Sequence, residues 1–446
     1  MLEPQSTALF VLLMLIFGAL TWWMLVTRQP ALRVLAACLA FTPAMLFGVM
    51  AVNKYYGYYQ TWGAAIADLT NQGTGAAPSV PVNLAAGSQL DRLDGSTIYL
   101  RQAQVFGYTL RLNVTGQRSG ITRAVYVYLP PQYFWSSYKP YRFPVVELIH
   151  GQPGEPQDWI NVVGVTATLD HLVIQHLAQP VVLVMPDANG GENVSLQCLN
   201  QAGGPQDLTY LAEDLPDQIA HIVRVQPPGP AWGLAGYSEG GFCAANMALQ
   251  FPGRYGFAGS LSGYFKPFDN QLADPIRHVN PFGGSRVLQL ENTPLDEIAM
   301  LRPGVPMPQF WLGAGQDDRL AMAGAEVFRQ ELQLRQADVP LTLTPGGGHT
   351  MTTWRAEVPP MLNWMTQGLA QVVQKEATAQ SRKASVLAAQ RARGRARSAP
   401  NHHAPIPHVP IRHGPDRHVP DQHVPDQVAP IQQKPAGRSP SPTAVG

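Results

Sequence analysis

The chain has 446 residues, of which 14% are charged, and a formal net charge of +1. Such a length accommodates one large domain with appendages, and the near-neutral balance excludes a nucleic-acid binder built on a basic surface. Three cysteines exclude a disulfide-dense scaffold and a four-cysteine zinc site.

The N-terminal stretch from Pro4 to Thr27 has no charged residue, and neither has the stretch from Val34 to Asn53. Each supplies about 20 residues of apolar helix, enough to cross a hydrocarbon core. The spacing predicts a transmembrane hairpin within residues 1–60, with helices at about 8–27 and 34–53. A cleaved signal peptide fits less well, because Glu3 rather than a basic residue precedes the first run. Arg28 and Arg33 lie in the connecting turn, so the positive-inside rule puts that turn in the cytoplasm and both termini outside. The tyrosines at 55, 56, 58 and 59 are expected at the outer interface.

Residues 61–92 read as a linker, rich in Gly, Ala, Pro and Ser. Residues 93–374 then alternate strand-like and helix-like runs. Strands are predicted at 108–114, 124–129, 144–149, 181–185, 231–235, 256–260 and 309–312. Helices are predicted at 165–177, 210–223, 241–249, 321–335 and 360–373. This alternation predicts an α/β fold with a mostly parallel central sheet. From Lys375 to Gly446 the chain is first Ala/Arg-rich and then Pro/His-rich, and is expected to be disordered. A solvated spacer explains this tail better than a metal site, because its histidines lack a fixed ligand spacing.

The chemistry centres on Gly236-Tyr237-Ser238-Glu239-Gly240, a G-x-S-x-G pattern. The pattern is weak alone in a chain with 41 glycines. Its setting is what counts: an apolar strand precedes it and a helix candidate follows it, as in a nucleophile elbow. A serine hydroxyl needs a base. Of the histidines downstream of Ser238 and before the tail, His349 lies in the Gly-rich "TPGGGHTMTTW" after an apolar run, whereas His278 has the look of a surface residue. "FWLGAGQDDRL" offers Asp318 as the acid, with Asp317 the alternate; either is also a candidate helix N-cap. Two backbone N–H groups are needed for an oxyanion. Glu239 follows the nucleophile, and Gln152 follows the His150-Gly151 pair that ends a strand. His150 precedes the serine in sequence and is expected to shape this loop rather than act as the base.

These segments, from about Gly107 to Trp364, resemble the putative-esterase family of α/β-hydrolases, which includes feruloyl esterases, S-formylglutathione hydrolases and mycolyltransferases. The resemblance rests on "VYVYLPPQYF", "PVVELIHGQPGEPQDWIN", "VVLVMPDANGG", "GLAGYSEGGFCAANMALQFPGRYGFAGSLSG", "GAGQDD" and "GGGHTMTTW", in that order. It implies an α/β-hydrolase fold and serine-ester chemistry through Ser238, Asp318 and His349, with no metal and no cofactor. In the feruloyl-esterase branch the acid falls on Asp318, whereas mycolyltransferases typically use a Glu and lack the His-Gly-Gln loop. Three readings follow: an extracytoplasmic membrane-anchored serine esterase, an acyltransferase to a sugar or lipid hydroxyl, and a non-catalytic binding module. For the enzyme, location makes an envelope lipid or glycan ester the expected substrate, and no nucleic-acid partner is expected. Cys198 and Cys243 are the pair open to one disulfide, which an outside location permits; two buried thiols are the alternative.

Overall fold

The computed structural model describes residues 2–70, 97–191, 194–267, 281–301 and 307–397. His278, most of the predicted linker and the Pro/His-rich tail lie outside these residues. Residues Met1–Ala384 form one compact unit.

Two long apolar helices come first, α1 (Thr7–Val26) and α2 (Pro30–Tyr56). Ser6 caps α1 by accepting from Leu9 N–H, and Pro30 opens α2 where its missing N–H costs nothing. Between them the chain turns in three residues, closed by Arg33 Nε donating to the Thr27 carbonyl at 2.8 Å. The helices pack on each other, with Phe10 edge-on to Phe47. Both are long and apolar enough to cross a membrane, and side chains such as Leu15, Trp22, Val34 and Phe41 point outward without protein cover. The predicted linker begins with a helix instead, α3 (Trp62–Leu69), and a further helix, α4 (Thr97–Phe106), precedes the sheet.

Eight strands form one sheet: β1 (Tyr108–Thr115), β2 (Thr122–Leu129), β3 (Val145–Ile149), β4 (Val182–Pro186), β5 (Gly229–Tyr237), β6 (Tyr255–Leu261), β7 (Gln309–Gly315) and β8 (Leu341–Thr344). Their order is β1-β2-β4-β3-β5-β6-β7-β8. The β1–β2 and β2–β4 pairs are antiparallel and the rest parallel, the α/β-hydrolase arrangement. Strands β3 and β4 are buried along their whole length, because helices cover both faces of the parallel part. These helices include α5 (Val165–Ile174), α6 (Leu215–Ile222), α7 (Glu239–Gln250), α8 (Arg319–Leu334) and α9 (Met351–Arg397).

The largest departures from the predicted helices are in the last helix and at 210–223. Helix α9 starts nine residues before the predicted 360–373, and Pro359 and Pro360 lie inside it. Tertiary packing overrides their breaking tendency: Met351, Trp354, Val358, Met361, Leu362, Met365 and Leu369 form one buried stripe against the sheet. The same helix runs on to Arg397, through the Ala/Arg-rich stretch expected to be disordered. The predicted 210–223 helix is split by a wider π turn over Tyr210–Asp214.

Glu147 sits in the middle of β3, fully buried, with Tyr255 Oη donating to it at 3.1 Å. Burial pushes its carboxyl up to about 8, against the pull of the Tyr255 hydrogen bond and the Arg254 charge. A folded-state pKa above the unfolded value means that the fold binds the proton more tightly. The resulting stability is complete below about pH 4.5 and falls as pH rises to about 8. Glu147→Gln should remove this slope, so that its melting temperature gains on the wild type by about 5 °C or more between about pH 5 and pH 9. Parallel melting curves across that range would show that the carboxyl does not titrate as described.

Candidate active site

The end of β5 and the start of α7 hold Ser238 on a turn with φ 55° and ψ −119°. Only a tight, over-determined turn holds a non-glycine residue there. The flanking glycines make it feasible. A Cβ on Gly236 would run into the Gly240 carbonyl, and one on Gly240 into the Ile149 carbonyl at the end of β3. Ser238 N–H is fixed by the Leu261 carbonyl at 2.9 Å, and Ser238 O accepts from Gly241 N–H at 3.0 Å as α7 begins.

His349 follows β8 on a glycine-rich loop. Its Nε2 lies 2.9 Å from Ser238 Oγ and its Nδ1 lies 2.6 Å from Asp318 Oδ2. Asp318 ends the loop after β7, and its second oxygen accepts from Ala321 N–H at 3.4 Å, capping α8. One residue thus fills both roles that the sequence left open between the two aspartates. Asp317 is exposed, and its backbone N–H bonds the Gly347 carbonyl at 2.8 Å. Burial alone would raise the Asp318 carboxyl. The hydrogen bond and charge of His349, with Ala321 N–H and the Ser262 hydroxyl, outweigh that and hold it below the ordinary carboxylate value. An ionised carboxylate therefore faces Nδ1. Trp354 supports this geometry: its ring stacks on Tyr237 at 4.6 Å between centroids and meets His349 edge-on at 5.1 Å.

The loop after β3 lies against the serine: a Cβ on Gly151 would stand 3.2 Å from Ser238 Cβ. Gln152 and Glu239 line one cavity together with Ser238 and His349. The N–H of Glu239 belongs to the first turn of α7, whose donors have no acceptor four residues back, and the helix dipole there favours negative charge. His150 is buried away from this chemistry. Its Nε2 accepts from Ala188 N–H at 3.0 Å and its Nδ1 donates to the Gly151 carbonyl at 2.8 Å. Burial lowers its pKa, so the ring stays neutral and ties β3's loop to the loop after β4.

The carboxyl of Glu239 turns away from the serine. Asn189 Nδ2 donates to it at 2.9 Å and Ser195 Oγ donates to its other oxygen. Burial pushes this carboxyl up to about 7, while the Ser195, Asn189 and Gln197 hydrogen bonds pull it down. Cys198 and Cys243 form a disulfide with their Cα atoms 5.6 Å apart. The 195–198 segment is thus joined to α7 twice, by a buried carboxyl network and by a covalent bond. Sequence reasoning offered the cysteine pair but not the network, because nothing in the spacing of Asn189, Ser195 and Glu239 marks them as neighbours.

Two cavities meet at Ser238. One, of about 320 Å³, is bounded by Gly151, Pro153, Tyr237, Met351 and Trp354, and also by Val52, Tyr56 and Tyr58 from the end of the N-terminal hairpin. The other, of about 430 Å³, is bounded by Ser262, Tyr264, Leu320 and Ala321. Among the described residues there is no group of three or more His, Cys, Asp or Glu side chains placed to hold a metal ion.

A protein family described as "Putative esterase" matches residues 116–365, more than half of the chain. The chain belongs to this family. An uncharacterised protein of Corynebacterium glutamicum is 25% identical over 250 residues, covering 55% of this chain and 57% of that one. The MPT51 antigen of Mycobacterium leprae is 43% identical over 83 residues, covering 18% of this chain and 27% of the antigen. The chain thus spans little more than half, and about a quarter, of the length of these two relatives. Among solved structures, a ferulic acid esterase superposes with a TM-score of 0.51 at 20% identity, covering 59% of this chain and 98% of the esterase, a likeness of fold.

Proposed function

We propose that this protein is a membrane-anchored, extracytoplasmic serine esterase working through an acyl-enzyme on Ser238. The observation that carries this reading is the unbroken line of hydrogen bonds from Asp318 through His349 to Ser238, at 2.6 and 2.9 Å, on a nucleophile elbow. Ser238 Oγ attacks the ester carbonyl carbon as its proton passes to His349 Nε2. Asp318 holds the Nδ1–H tautomer and stabilises the imidazolium. The N–H groups of Glu239 and Gln152 receive the oxyanion, each such donor being worth about 10²- to 10³-fold in kcat. Collapse breaks the carbon–oxygen bond to the alcohol, which leaves with the proton from Nε2. Water then attacks the acyl-serine with His349 again as base, releasing the acid and restoring Ser238.

Anchoring is supported by two apolar helices whose outward side chains lack protein cover. An outside location is supported by Arg28 and Arg33 in their connecting turn and by the Cys198–Cys243 bridge.

A second reading, acyl transfer, draws support from the cavity beside Ser262 and Tyr264 on the far side of Ser238, which leaves room for an alcohol in place of water. Product analysis separates the two. With a p-nitrophenyl ester and added trehalose or glycerol, the esterase releases free acid in step with p-nitrophenol. If the acylated acceptor is the main product, the transferase reading replaces it. Failure to release p-nitrophenol at all contradicts both.

A further inference from the structure

The first cavity at Ser238 is walled in part by a helix long and apolar enough to span a membrane. Val52 and Tyr56 lie four residues apart on α2 and so face the same side. Both line the space that contains Ser238 and His349. A second cavity of about 670 Å³ lies along α2, lined by Val49, Met50 and Asn53, and shares the walls Val52, Tyr58 and Pro153 with the first. The two cavities thus adjoin along the face of α2, the first of them holding Ser238.

The depth of these cavities follows from helix geometry. Counting from Arg33, the last charge before the apolar run, 20 residues at 1.5 Å each span about 30 Å, the thickness of a hydrocarbon core. The outer edge of that core then falls near Asn53. Val49 and Met50 are inside it, and Tyr56 and Tyr58 are in the headgroup layer, where tyrosine is favoured.

The end of α2 is also fixed to the domain rather than hanging beside it. Arg355 donates to the carbonyls of Gly57 and Tyr58, the latter at 2.7 Å, and to the Val162 carbonyl at 2.6 Å. Gly57, with φ +72°, comes so close to Thr352 that a Cβ there would collide with the Thr352 side chain. Asn53 and Gln5 both donate to the Tyr59 carbonyl, at 2.9 and 3.1 Å. Thr352 and Arg355 sit on the first turns of α9, directly after His349. One junction thus sets the catalytic loop and the membrane helix in register.

We propose that the acyl donor is a lipid ester resident in the bilayer, whose chain reaches Ser238 sideways along α2, so that Val49 and Val52 form part of the acyl-binding wall. This rests on the acyl-enzyme reading above. Access from the bilayer spares a long chain the cost of exposing its methylene groups to water on the way to the site.

The test uses the full chain in phosphatidylcholine vesicles and an alkyl fluorophosphonate with a hexadecyl chain carrying a mid-chain diazirine. Ser238 Oγ displaces fluoride from phosphorus, leaving its proton on His349, and the label is mapped to the tryptic peptide 225–254, in which Ser238 is the only serine. Irradiation then expels dinitrogen, and the carbene inserts into whatever lies beside the chain. The expected product joins the label to the tryptic peptide 34–54 of α2. Val52→Trp, which fills the passage, should lower that yield by about fivefold or more. Insertion confined to peptides carrying Ser262, Tyr264 or Leu320 overturns lateral access while leaving Ser238 as nucleophile. An absence of label on 225–254 overturns the acyl-enzyme reading and this proposal with it.

Discussion

Replacing Ser238 by alanine should lower kcat for p-nitrophenyl ester cleavage by about 10⁴- to 10⁶-fold. The size of the loss follows from what the hydroxyl does. Without Oγ there is no covalent intermediate, and His349 has nothing to deprotonate but water that is poorly placed. What should survive is the contribution proposed for the Glu239 and Gln152 N–H groups and that of substrate binding, about 10³-fold over solution. The fold should be unaffected. Alanine at φ 55° is no more strained than serine, and the Oγ contact it removes is with His349, whose side chain is 47% exposed. Melting temperature and substrate KM should therefore stay near those of the wild type while turnover disappears.

Asp318→Asn should lower kcat by about 10⁴-fold while keeping the cap on α8. The substitution separates two functions of one side chain. As a cap for α8, asparagine is as good as aspartate, so the bond to Ala321 N–H survives and the helix start is kept. As a partner for His349, asparagine has no charge to stabilise the imidazolium. Its amide group, turned toward Nδ1, would also select the tautomer that puts the proton on Nε2, facing Ser238. Asp318→Ala loses the cap as well and should cost a further ~1 kcal/mol of stability. The acid side carries a matching signature. Because the Asp318 carboxyl is held below its unfolded value of 3.8, its pairing stabilises the fold above about pH 4, and that contribution is lost as pH falls through the folded value. Asp318→Ala should therefore lose less stability than the wild type on acidification below about pH 4. Equal acid sensitivity in the two proteins would contradict the pairing.

Much of this site is legible in the sequence because its parts sit where strands end. Ser238 follows β5, Asp318 follows β7 and His349 follows β8, and a parallel sheet brings those ends to one edge. The order of the motifs therefore predicts the meeting of the three side chains. The choice between Asp317 and Asp318 is not legible, since it depends on which side of the strand end each faces. Nor is the destination of the Glu239 carboxyl, which is decided by Asn189 and Ser195, 50 and 44 residues away. Helix α9 illustrates a third kind of miss. Pro359 and Pro360 argue for a helix start at that point, and only the buried stripe from Met351 to Leu369 shows why the helix begins earlier. The hairpin is conspicuous as an apolar pattern, yet its part in walling the cavity at Ser238 appears only once Arg355 and Gly57 are seen to clamp its end.

The most direct test is to trap the intermediate. The full chain in detergent, mixed with a p-nitrophenyl ester, quenched in acid within the first turnovers, reduced and digested with trypsin, should yield peptide 225–254 carrying one acyl group on Ser238. Ser238→Ala treated identically should yield that peptide unmodified. An acyl group on another residue, or full turnover in the alanine variant, would contradict the account at its centre.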